Sequence, residues 1–354
     1  MYLKVLALIL FAVSPSVIAA NHYVRANATG SGNGSDWNNA YRSLPATLKR
    51  GDVYYVASGN YPAYKFDDAQ SGNAVITIKK ATATDHGTAT GWNAAYGNGQ
   101  AVFNSELEFQ RGYYVFDGQV RNEADWFDGA SYGFRIAHNN KDRNIVISGG
   151  SASSNISIKH VFVDAIYKNL PSNTVRRYAI DTDTYGGSHA PNLVFHKMYV
   201  YGSNNVWFLR TTNGAIVEYS ASNGAASNAA NHGEIVNLYY SGNNAIIRHN
   251  QWKNAFVGNG GTALVAITHA DGLQFYGNVV SDFEVGDGAI GFQLSSQTSP
   301  GLALPAPYNV DLTGKPRGTG GTVSIGAYQF GTSSTGNGIA APTNLRVSDL
   351  PPGC

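Results

Sequence analysis

Ile156-Ser157-Ile158-Lys159, Leu193-Val194-Phe195-His196, Ala215-Ile216-Val217-Glu218, Ala245-Ile246-Ile247-Arg248 and Leu273-Gln274-Phe275-Tyr276 are five stretches of one chain that can be laid over one another. Their starts fall 37, 22, 30 and 28 residues apart, and the residue before each is Asn155, Asn192, Gly214, Asn244 or Gly272. A short apolar strand recurring at such intervals, entered through a residue that tolerates a left-handed backbone, is the pattern of a solenoid whose coils stack on one another. In four cases a second β-rich stretch precedes the first, at 178–183, 206–210, 235–240 and 264–269. Two or three strands per coil, with no helix between them, distinguish a β-helix from a leucine-rich repeat. The expected fold is all-β, a right-handed parallel β-helix. Asn250 and Asn278 fall at the same offset behind their strands and predict a ladder of stacked side-chain amides.

Working outward, further strands are predicted at 53–56, 74–79, 113–118 and 145–147. The segment from Ser43 to Lys49, with a capping serine, an early Pro45 and a stop at Gly51-Asp52, reads as a short N-terminal capping helix. The whole chain holds 41 Gly and 22 Tyr but only 13% charged residues, which favours strands and turns over helices.

Gly51-Asp52-Val53-Tyr54-Tyr55-Val56 with Gly59-Asn60-Tyr61 resembles the opening rung of pectate-lyase-like right-handed parallel β-helix proteins. Asn309-Val310-Asp311-Leu312-Thr313-Gly314-Lys315-Pro316-Arg317, followed by Ile325-Gly326-Ala327-Tyr328, resembles the closing segment of many secreted bacterial members. The resemblance spans roughly 21–330. It implies a fold far more than a reaction, because the Arg-x-Pro-x-x-Arg of pectate lyases and the motif set of polygalacturonases are both missing.

Lys4, the apolar run from Val5 to Val13 and the small residues before Asn21 read as a signal peptide over 1–20, which predicts a secreted or cell-surface protein. No later run approaches the roughly 20 apolar residues of a membrane-spanning helix. The 24 basic and 23 acidic residues are balanced and unclustered, which argues against a nucleic-acid partner. Cys354 is the single cysteine, so no disulfide forms within this sequence and no cysteine zinc site can be built. Residues 331–338 read as a flexible linker, and 341–347 resemble the first strand of a truncated fibronectin-III-like module.

The expected partner is an extracellular polysaccharide. In pectate-lyase-like proteins the strand that precedes the repeated one lines the substrate groove, and here it carries Arg177, Asp181, Asp183, Arg210, Glu234, Tyr239 and His269, with His232 at its entrance. Asp181 and Asp183, two apart on one strand, face the same way and form a candidate Ca²⁺ pair. A lyase acting on a uronate glycan by β-elimination needs a cation for the carboxylate, a base and a proton donor. Arg177, Arg210 or Ca²⁺ fit the first need, and His232, Tyr239 or His269 the others. A glycoside hydrolase would instead use two of Asp181, Asp183 and Glu234. A third possibility is a non-catalytic carbohydrate-binding or adhesin-like solenoid. The repeated strand itself offers an outward column of Lys159, His196, Glu218, Arg248 and Tyr276, suited to sugar or simply to solvent. Trp37, Trp92, Trp126, Trp207 and Trp252 are either sugar-stacking faces or core.

Overall fold

The computed structural model describes residues 19–137, 142–165, 178–182, 189–226, 233–257, 263–268, 270–282, 284–285 and 290–294. The chain divides into units 1–299 and 300–354. The second unit, with the closing segment and the fibronectin-like stretch, lies outside the described residues, as does the signal-peptide segment before Ala19.

The described residues form a right-handed parallel β-helix of three nine-stranded sheets, here called A, B and C. The chain visits them in that order on each coil: Ile156–Lys159 in A, Val161–Asp164 in B, Tyr178–Asp181 in C, then Leu193–His196 back in A. All five repeated stretches lie side by side in sheet A, in the register expected of them: Ile156 faces Leu193, Val194 faces Ile216, Ile216 faces Ile246, and Ile246 faces Gln274. The preceding strands form sheet C, where Asn205–Asn213 and Glu234–Asn243 make the longest pair.

Alternation along each strand sends one set of side chains inward. Ile78, Phe116, Ile158, Phe195, Val217 and Ile247 stack coil upon coil into a continuous core. Phe66 and Phe109 stack at 4.2 Å, and Phe116 and Phe134 at 4.4 Å. Each such buried side chain stabilises the fold by about 1.5–3 kcal/mol relative to exposure.

Sharp corners join the sheets. Entering sheet A, Asn155, Asn192, Gly214, Asn244 and Gly272 all adopt positive φ. Leaving it, the predicted ladder is present and longer than two asparagines: Asn278 accepts from the Asn250 amide at 2.9 Å, Asn250 accepts from the Ser220 backbone at 2.9 Å, and the Ser220 hydroxyl accepts from the Met198 backbone at 3.0 Å. Each asparagine also donates to a carbonyl of the preceding coil, Val217 or Ile247.

The predicted helix at Ser43 to Lys49 is not formed; the segment is irregular, with bends at Ser43, Ala46 and Thr47. Amides that a helix would satisfy internally go to side chains instead, Leu48 to Asp68 at 2.6 Å and Lys49 to the Tyr54 hydroxyl at 2.9 Å. Leu44 and Leu48 still bury against the core. The outer edge of Asn21–Val24 is also taken: the Tyr23 amide donates to Gly34, and the Tyr41 amide to Tyr23. That leaves no free strand edge there to recruit another chain.

Removing the ladder at its centre, Asn250→Ala, leaves buried backbone groups unpaired and should cost about 2–3 kcal/mol in denaturant unfolding. Asn244→Gly, at a corner where glycine fits as well, should stay within about 1 kcal/mol of the parent.

Candidate functional site

On the outer face of sheet C, Asp181, Phe208 and Asn237 occupy one column, and Arg210 and Tyr239 pair two residues further along. Arg210 grips Asp181 with two hydrogen bonds, Nε to Oδ1 at 3.0 Å and a terminal nitrogen to Oδ2 at 2.5 Å. Arg143, from the coil before, brings a guanidinium nitrogen to 3.7 Å of the same Oδ2. Planar recognition of this kind holds a guanidinium in one orientation. Three rings run alongside: Tyr178 stacks on Phe208 at 4.8 Å, and Phe208 on Tyr239 at 5.8 Å. Arg210 lies 4.8 Å over the Phe208 ring.

Burial sorts these groups by what they can touch. Asp181 is 0% exposed and Arg210 5%, so the pair sets the geometry of the face from beneath it. Tyr178, Tyr239 and Arg143 are partly exposed. Glu234 is buried at the start of its strand, in the column of Asn205 and Tyr178. The structure therefore brings together Asp181, Arg210 and Tyr239. Arg177, Asp183, His232 and His269 lie outside the described residues.

The Ca²⁺ expectation can be judged on Asp181. Both its oxygens serve Arg210, and a second guanidinium stands close by, so this carboxylate does not fit a divalent cation. Among the described residues no group of three or more His, Cys, Asp or Glu gathers to hold a metal.

The outward column of sheet A is the second candidate surface, and it is one hydrogen-bonded chain. His196 Nδ1 lies 2.9 Å from Glu218 Oε1, Arg248 Nε donates to Glu218 Oε2 at 2.7 Å, and Arg248 also donates to the Tyr276 hydroxyl at 3.1 Å. Tyr276 and Glu218 together hold the Arg248 guanidinium well above its ordinary value. Burial pulls His196 below the usual imidazole range despite Glu218. One coil earlier, His160 Nδ1 meets Asp117 at 2.7 Å; burial opposes that charge, but the His160 bond leaves Asp117 below the usual carboxylate range.

Three tryptophans resolve to core: Trp37, Trp207 and Trp252 are fully buried. Trp92 lies against His86 at 4.2 Å, and Trp126 lies under Arg121 at 4.2 Å. Sequence inspection missed the ring stack of sheet C and Arg143. The three rings stand at different register positions, Tyr178 opposite Asn205, Phe208 opposite Asn237 and Tyr239 opposite Arg210, so no repeat in the sequence announced the stack.

Arg210→Met strands a buried carboxylate and should cost about 3–5 kcal/mol, with Asp181→Leu in the same chain recovering most of it in denaturant unfolding. Because the folded His196 sits below the unfolded imidazole value of about 6.5, the unfolded chain takes up its proton first. This contribution to stability is intact above that range and is lost as pH falls through it; His196→Gln should flatten the thermal midpoint there.

Comparison of the chain with protein-family models, with curated proteins and with solved structures returned no match.

Proposed function

We propose that the protein is an extracellular polysaccharide lyase that cleaves an acidic, uronate-containing glycan by β-elimination on the outer face of sheet C. The observation that carries this reading is the setting of Tyr239 and the partly exposed Arg143 around an Arg210 whose orientation is fixed by buried Asp181.

Elimination begins when a base takes the proton from the carbon beside the uronate carboxylate. That electron pair then forms a carbon–carbon double bond as the glycosidic oxygen departs with a proton. The proton is acidic enough only if the carboxylate charge is offset, which is the role of Arg143. Asp181 and Arg210 are positioning residues, holding Arg143 and the ring stack in register beneath the sugar. Tyr239, one coil along from Arg210, takes the proton from that carbon as its phenolate and returns it to the departing oxygen. Tyr178 and Tyr239 offer flat faces for neighbouring sugars.

Hydrolysis by paired carboxylates is the weaker reading, since both oxygens of Asp181 are committed to Arg210.

Incubation with polygalacturonate or alginate should release unsaturated uronate ends, detected by their ultraviolet absorbance, without added Ca²⁺. Tyr239→Phe should lower kcat about 100-fold or more, and Arg143→Ala should act mainly on KM. No unsaturated product from any acidic polymer would end the lyase reading.

A further inference from the structure

Asp52 is a fully buried carboxylate at the head of the solenoid, 0% exposed. Gly51 holds a positive φ of 89°, and the Asp52 amide donates to the Lys49 carbonyl at 3.2 Å. That turn sets Asp52 at the entry to Val53–Val56. Its Oδ2 lies 2.9 Å from His22 Nε2, which carries charge only when protonated, and 4.0 Å from the nitrogen of the exposed Lys49. Its Oδ1 accepts from the backbone amide of Ala20 at 3.0 Å. A buried carboxylate is costly unless cations and hydrogen bonds compensate it, and a neutral amide answers Oδ1 only in part.

Ala20 is built into the first coil. Its carbonyl accepts from the Val53 amide at 2.9 Å, and Asn21–Val24 then pairs with Val53–Val56 residue for residue. Ala19, one residue earlier, is exposed. In the sequence, Val17-Ile18-Ala19 fits the small-x-small pattern that a leader peptidase reads, with the cut after Ala19, and Ile18-Ala19-Ala20 fits it less well with the cut after Ala20. The contacts of Ala20 favour the first position, one residue before the boundary read from sequence alone, because the second would discard a residue that the fold holds at both its amide and its carbonyl.

We infer that the Ala19–Ala20 peptide bond is a processing site, and that the α-ammonium released there docks on Asp52. Water adds across the amide: Ala19 departs with the new carboxylate, and Ala20 keeps the nitrogen, mostly protonated at neutral pH. That nitrogen already stands 3.0 Å from Oδ1, so the cut exchanges a neutral donor for a cationic one without moving the strand. Loss of the leader thereby completes the pairing of a buried charge and tightens the first coil, on which the later coils stack. The device makes the mature chain firmer at its head than its precursor.

The full-length chain, exported from a bacterial host, should give a product that begins at Ala20 by intact mass and N-terminal sequencing. A start at Asn21 or a retained leader would overturn the inference. Three chains then isolate the charge: one beginning at Ala20 with a free amine, the same chain acetylated on that nitrogen, and one beginning at Ala19. The last two keep an amide donor at Ala20 without its charge. Hydrogen exchange of the Val53 amide, which is bonded to Ala20, should be about tenfold slower in the free-amine chain than in either of the others. Equal exchange in all three would overturn the inference. Asp52→Asn keeps an acceptor and removes the charge, so it should abolish the difference between the free and acetylated chains; a difference that persists would mean that the amine pairs elsewhere, and would overturn the docking. None of these readouts involves a glycan, so the result is independent of the lyase reading.

Discussion

Parallel pairing of each strand with the same strand one coil later is the constraint on which the molecule depends. It places like positions on top of one another at about 4.8 Å, so any residue type is multiplied into a column. Apolar columns become the core, amides become a ladder, and left-handed residues become corners. Charges are the exception that must be managed, since identical coils would stack like on like. Along the outward column of sheet A the order is Lys79, Asp117, Lys159, His196, Glu218, Arg248, Tyr276, and no two like formal charges are neighbours.

The same constraint explains how far the sequence could be read. Sheets A and C were legible because Gly or Asn announces the five repeated strands of A and apolar residues fill both. Sheet B was not: Ala221–Ala226 has no apolar alternation, and its extended state comes from pairing with Tyr199–Ser203 and Gln251–Val257 on either side. The ladder showed as two asparagines, but not its continuation through a serine hydroxyl to the Met198 amide. Ser43 to Lys49 misled because local capping signals were present while the decisive partner, Asp68, lies twenty residues from Leu48.

The site was legible as residues and not as contacts. Asp181 and Asp183 suggested a pair by their spacing. The partner Asp181 takes is Arg210, one coil on and 29 residues away, at a separation that no local pattern encodes. Burial then changes the meaning of both: groups that read as catalytic in one dimension lie beneath the surface, and the partly exposed Tyr239 and Arg143 are left to meet a ligand.

The ladder from Met198 to Asn278 also bears on how the protein comes apart. Its hydrogen bonds run across coils, so one coil cannot loosen without unpairing its neighbours, and small openings at that corner are suppressed together. Lacking any disulfide, the chain draws from this shared network a kinetic persistence: a protease must await a concerted opening of several coils before it finds an extended segment to cut.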